Sequence, residues 1–348
     1  MPLTITDSKT GAADLLEAKK PIRAVGKGGV ETNEVDRNSM GGTELMKYGL
    51  HERLPGELLD NFQIICSRVR EIDPKRIPIL WCHDLAGDTE VAHLKNVSAE
   101  DTKFAKLVFV SHWQLQQYRD YLSVPYSKCA VLQNAITPIP DHEKPDDVIN
   151  LCYFTTPHRG LELLVPVFKH LHENNFKEIS KPVHLHIHSS YEVYGWKQRD
   201  DQFKELFDQC LELPNVHYYG YTKHDDLLKE IEKYHILAFP SVWPETSCLQ
   251  LLEAMSAKML CVHSSLAGLP ETAANWTLMY PMDEDMNRHA NVFADMLFSG
   301  VRAIDTGYIN DRLEMQKRYI DGFYNWDVRA MQWNQMLTSI LEQGFEHK

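Results

Sequence analysis

Short apolar runs alternate with amphipathic helical stretches along most of this chain, and that alternation restricts the fold more than any other feature. RIPILWC (76–82), KLVFVS (106–111), AVLQN (130–134) and VINLCYFT (148–155) read as strands. So do PVHLHIHS (182–189), NVHYYG (215–220), HILAFPS (235–241) and MLCVHS (259–264). Between them, GLELLVPVFKHLHEN (160–174) and HDDLLKEIEKY (224–234) carry helical periodicity. Strand, helix, strand at this spacing predicts parallel α/β units. Apolar strands with helices on both sides predict doubly wound sheets, with sites at the strand C-terminal ends.

The stretch ITPIPDHEKPDD (136–147) is rich in Pro and charge, has little apolar periodicity and reads as a linker. A chain of 348 residues accommodates two domains on either side of it. We expect an N-terminal domain over 1–140, a C-terminal domain over 148–325 and a terminal helix within 326–348. That helix is amphipathic through Val328, Met331, Trp333, Met336, Leu337 and Ile340, so it should pack on one of the domains.

The net charge is −13, and neither half of the chain is basic. Such a field repels phosphate backbones and anionic lipid, so there is no strong nucleic-acid or membrane signature. The seven cysteines are odd in number and form no CxxC pair, which argues against a disulfide framework and a zinc ribbon. A reducing, cytoplasmic location is expected. The first twenty residues lack the apolar core of a secretory signal, and no apolar run reaches the length of a membrane span. The oligomeric state has no signal in the sequence.

PSVWPETSCLQLLEAMSAK (240–258) is the most informative stretch. It reads as a strand end, a loop and a helix beginning near Thr246 or Ser247, either of which could cap it. Glu245 precedes the helix and Glu253 lies inside it, so a loop carboxylate and a helix carboxylate can face one cleft. The helix start offers free N–H groups and a positive dipole end. Carboxylates that hold hydroxyls, beside an anion site, suit a ligand that is part sugar and part phosphate. A dipole-offsetting Glu and a solvent Glu would look the same from spacing alone.

YFTTPHRGLELL (153–164) brings Arg159 and Gly160 to a strand–helix turn, where Gly permits close backbone approach and Arg pairs with phosphate oxygens. MGGTELMKYGL (40–50) puts Gly41 and Gly42 before a helix that could take a diphosphate at its start. Upstream, AVGKGGVE (24–31) fails the dinucleotide fingerprint, because Glu31 occupies the third glycine position. ILWCHDLAGD (79–88) places His83 at a strand end. His184, His186 and His188 share one face of a strand; three imidazoles can bind zinc, but no carboxylate or thiolate partner is evident. No GxSxG elbow, P-loop or HExxH is present.

In their order along the chain, these segments resemble the glycosyltransferase family 4 pattern on the two-domain GT-B fold. Gly41-Gly42-x-Glu44 is similar to the family's N-terminal GGxE loop, and His83 to its N-domain histidine. LVFVSHWQ (107–114) and VLQNAI (131–136) follow, the latter with Gln133 and Ala135 where the family has Pro and Gly. Then come Thr155 to Gly160, NVHYYGY (215–221), Glu245 to Glu253 as E-x7-E with EAM, GLPE (268–271) and Asn325-Trp326. The resemblance implies two Rossmann-like doubly wound domains facing a cleft, with the C-terminal helix crossing back to the N-domain. It implies a retaining, metal-independent glycosyltransferase that moves sugar from a UDP- or GDP-linked donor to a saccharide or other hydroxylated acceptor, without a cofactor. By resemblance, Glu253 holds the ribose, Glu245 the donor sugar and Arg159 the diphosphate. The backbone of Ser247, Cys248 and Leu249 supports the donor. Gly41 and Gly42 admit the phosphates, His83 contacts the transferred sugar, and Tyr221 and Thr222 lie beside the base. Two departures stand out: Arg159 has no second cation in its loop, and Thr246-Ser247-Cys248 replaces the usual small residues. A nucleotide-sugar epimerase of the same fold, or a non-catalytic nucleotide-sugar binder, are the competing expectations.

Overall fold

In the computed structural model, residues 41–345 are described. The domain start over 1–40, the GKGG segment and the last three residues lie outside them. The described chain divides into two compact units, 138–322 and 41–137 with 323–345.

The discontinuous unit begins with α1 (Gly42–Arg53) and α2 (Gly56–Leu59). Strands β1 (Phe62–Cys66), β2 (Ile77–Cys82), β3 (Lys106–Phe109) and β4 (Cys129–Val131) form a parallel sheet in that order, with α3 (His112–Leu122) between β3 and β4. One face of the sheet buries Leu80, Cys82 and Phe109 against Leu115 and Tyr118 of α3. Ser111 caps α3 by accepting from the Gln114 N–H at 3.0 Å.

The continuous unit holds β5 (Ile149–Tyr153), α4 (Leu161–Asn174), β6 (Val183–Ile187), α5 (Lys204–Glu212) and β7 (Val216–Tyr218). It continues through α6 (His224–Glu230), β8 (Ile236–Phe239), α7 (Leu249–Ser256), β9 (Leu260–Ser264), α8 (Leu269–Ala273) and β10 (Leu278–Tyr280). Helices α9 (Met286–Asp305) and α10 (Asn310–Phe323) follow. Its parallel sheet has the order β10-β9-β8-β5-β6-β7. The chain winds outward from β5 on one side and from β8 on the other, so the reversal falls between these two hydrogen-bonded strands. In open α/β sheets, sites lie outside the strand C-terminal ends at such a reversal.

The last helix, α11 (Trp326–Gln343), returns to the first unit. Asn325 caps it, accepting from the Val328 N–H at 2.8 Å. Trp333 packs edge-on against Trp81 of β2, with ring centroids 4.7 Å apart. The Trp326 ring lies so close to Gly49 that any side chain there would overlap it. This is the crossing-back helix that the family resemblance implies.

Eight strands fall where the apolar runs predict them. Two were not anticipated. In β1, the buried Gln63 interrupts the apolar run; its amide bonds Glu71 O and the Asp73 N–H in the connection beyond the strand. β10 is three residues long, too short for a periodicity to register.

The alternating histidines of β6 do share one face, and they bond to protein groups there. His184 Nδ1 lies 2.8 Å from His217 Nε2, His186 reaches Tyr219 and Asn150, and His188 sits between Thr222 and Tyr234. Loss of hydration pushes His186 down to about 3 and His188 to about 4. His235 also falls to about 4: its Nδ1 accepts from the Asn150 N–H while its Nε2 donates to Pro145 O, an arrangement only the neutral ring can make. Buried His263 on β9 falls to about 4 as well.

These depressed values set a direction for acid stability. The unfolded chain takes up protons near pH 6.5 and the folded one near pH 4, so the stabilisation is complete above pH 6.5 and is lost on descent through that window. Between pH 7 and pH 5, each of His188, His235 and His263 should cost about 2 kcal/mol. The urea midpoint should fall steeply over that range; a midpoint unchanged between pH 7 and 5 would contradict the assignment.

Candidate active site

The loops at the C-terminal ends of β5 and β8 gather residues far apart in sequence. After β5, the chain makes a 3-10 turn, Pro157–Arg159, and enters α4 through Gly160. Gly160 has φ +132°, a conformation L side chains rarely adopt, and a Cβ there would lie 2.3 Å from Pro240 O at the end of β8. The two loops are therefore pressed together at that point. The loop after β8 is tied down by Ser264 Oγ, which donates to Ser241 O at 2.6 Å, and by the Gly268 N–H, which donates to Glu245 O at 2.8 Å.

Across this contact, Arg159 Nη1 donates to Glu245 Oε1, and Arg159 Nη2 reaches the Tyr194 hydroxyl at 3.4 Å. Arg159 Nε is buried without a partner. Burial pushes the Glu245 carboxyl up and works against the Arg159 charge, but the facing carboxylate keeps the guanidinium protonated. His158 stacks on Tyr191 and meets Trp243 edge-on, so an aromatic wall lines the Arg159 side.

Helix α7 begins at Leu249, not near Thr246 or Ser247. Cys248 is its N-cap residue in extended conformation, and no side chain caps the helix. The Glu245–Thr246 backbone packs against Gly268, which holds the loop out of helical geometry for those residues. The N–H groups without an intrahelical carbonyl partner are therefore those of Leu249, Gln250 and Leu251. Ser247 and Cys248 stand just before them.

Glu253 lies inside α7, buried, and its Oε1 is 2.6 Å from His224 Nε2 at the first position of α6. The sequence gives no sign of this partner, because the two residues are 29 positions apart on different helices. Burial lowers the affinity of His224 for a proton, but the Glu253 carboxylate outweighs it and the net shift is upward. Tyr221 and Thr222 precede Lys223, the N-cap residue of α6, with Thr222 Oγ1 2.7 Å from His188 Nδ1.

Gly41, Gly42 and His83 belong to the other unit. Gly41 is the N-cap residue of α1, and Glu44 occupies its first turn. His83 follows β2, donates its backbone N–H to Ser67 Oγ at 3.0 Å, and packs on Trp81 with ring centroids 4.8 Å apart. Loss of hydration drives its imidazole down to about 3, so the ring is neutral at physiological pH. Among the described residues, no group of three or more His, Cys, Asp or Glu side chains could hold a metal ion. No helix among them is long and apolar enough to cross a membrane.

Comparison with known proteins bears on the fold and on the continuous unit. Residues 142–290 match the family model described as glycosyl transferases group 1. No protein of curated function matches the chain in sequence. Among solved structures, a glycosyltransferase from Rickettsia africae is similar with a TM-score of 0.62 and 14% identity, over 90% of this chain and 85% of that one. Anabaena HepE, solved with UDP-glucose, is similar with a TM-score of 0.58 and 12% identity, over 76% and 73%. A UDP-forming alpha,alpha-trehalose-phosphate synthase from Burkholderia vietnamiensis follows at 0.57 and 13%, over 76% and 68%. Residues 142–290 thus match group 1 glycosyltransferases, and the two parallel α/β sheets of the chain have the GT-B fold of these solved glycosyltransferases.

Proposed function

We propose that this enzyme is a retaining, metal-independent glycosyltransferase that moves a sugar from a UDP- or GDP-linked donor to a hydroxylated acceptor. The observation that carries this reading is the Arg159–Glu245 pair at the strand reversal, beside the uncapped start of α7. Departure of a nucleoside diphosphate demands charge stabilisation on the leaving oxygen. Arg159 and the N–H groups of Leu249 to Leu251 supply it without a metal. Donor binding then draws Arg159 from Glu245 to the diphosphate and leaves Glu245 for hydroxyls of the donor sugar. Glu253 takes the ribose, and Tyr221 and Thr222 flank the base. In the other unit, Gly41 and Gly42 are assigned to the phosphates and His83 to the transferred sugar near its reacting carbon. A neutral His83 contributes hydrogen bonding, and the leaving phosphate takes the acceptor's proton on the face of departure. Seven free thiols suit a reducing cytoplasm.

A thermal-shift screen against UDP, GDP, ADP, TDP and their common sugars in EDTA tests this. One diphosphate should raise the midpoint with concentration; no shift with any of them removes the donor assignment. His83→Ala should leave affinity for that diphosphate intact and cut transfer from the full donor about 100-fold. Unchanged turnover would take His83 out of the reaction.

A further inference from the structure

A carboxylate that binds a ribose diol must present its oxygens in one plane at one angle. Glu253 sits on a helix that reaches it from one side only, so its rotamer needs a second support. His224 supplies that support: its Nε2 holds Oε1 at 2.6 Å from helix α6, and both side chains are largely buried. Among the described residues, the Glu253 side chain makes no other hydrogen bond or ion pair, so Oε2 remains open to a ligand. His224 is also two residues beyond Thr222, so one short segment joins the loop assigned to the base with the side chain that aims the carboxylate.

We infer that His224 is a positioning residue for the nucleotide ribose: it locks Glu253 through Oε1 and leaves Oε2 to receive the hydroxyls. This rests on the reading of Glu253 as the ribose ligand. The charged groups acting on His224 are Glu253 from α7 and Asp225 beside it on α6; both favour the imidazolium, and burial opposes it. The lock is charge-assisted below the raised pKa of His224 and weakens above it. Nucleotide affinity should therefore decline as pH rises through that value.

The test measures dissociation constants of UDP, GDP and ADP, and of their 2′,3′-dideoxy counterparts, from pH 6 to 9. The wild-type protein should prefer the ribose form of the diphosphate it binds. His224→Ala should weaken that form about tenfold, leave the dideoxy form nearly unchanged and abolish the pH step. His224→Gln retains an N–H donor and should recover most of the affinity, with no pH step; it also guards against misfolding of the Ala variant. Equal weakening of ribose and dideoxy forms by His224→Ala would make the residue merely structural and overturn the inference. If Glu253→Gln keeps the wild-type preference for ribose, the ribose assignment itself fails and takes the inference with it. If Glu253→Gln loses that preference while His224→Ala retains it, the ribose assignment stands and the role of His224 falls.

Discussion

Arg159→Met should destabilise the protein by about 3–5 kcal/mol, the cost of leaving a buried carboxylate without its partner. Glu245 is largely buried, and its only ion-pair partner among the described residues is Arg159. The expected signature is a urea midpoint below the parent's at pH 7, with the gap between the two narrowing as pH falls and Glu245 protonates. Arg159→Met with Glu245→Gln should regain much of the lost stability, because the stranded charge is gone. Neither variant should transfer sugar; the loss should be roughly 100–1,000-fold or more, as for other preorganised charge stabilisers. A single variant as stable as the parent would mean that the pair does not hold the two loops together.

Gly160→Ala should be nearly as damaging without altering any charge. The residue occupies φ +132°, and the added methyl would meet the Pro240 carbonyl at 2.3 Å. Backbone strain and overpacking each cost about 1–3 kcal/mol, so a total of roughly 2–6 kcal/mol is expected. Because backbone rather than a flexible side chain is in the way, relief requires the loops after β5 and β8 to separate. Arg159 immediately precedes this position, so weaker diphosphate binding should accompany the lost stability. Thermal unfolding and nucleotide titration of one sample would check both; a fully stable variant would refute the close contact.

Much of the architecture was legible because parallel strands buried on both faces announce themselves as unbroken apolar runs. The same property located Glu245 in a loop and Glu253 in a helix, since both follow the run at 235–241. The choice of partners was not legible. Arg159 meets Glu245 across 86 positions, and the meeting exists only because β5 and β8 are neighbours where the winding reverses. His224 belonged to a stretch whose helical pattern was plain, but periodicity says nothing about what faces its first residue. The start of α7 was misplaced because Thr246 and Ser247 are good capping types, whereas the backbone contact at Gly268 decides where helical geometry begins. Local preference lost there to a constraint delivered by a distant segment.

The return of α11 to the first unit has a consequence for the order of synthesis. Trp81 is made early, but Trp333, which covers it, comes after the whole intervening unit has been translated. At typical elongation rates, the ribosome needs about 10–40 s to cover the distance from residue 137 to residue 333. During that interval the continuous unit can complete its own core, while the earlier one waits with an indole surface bare. A nascent chain of this protein therefore presents its first sheet as a client for chaperones until nearly its last helix emerges. Loss of a few turns at the end would strand the beginning.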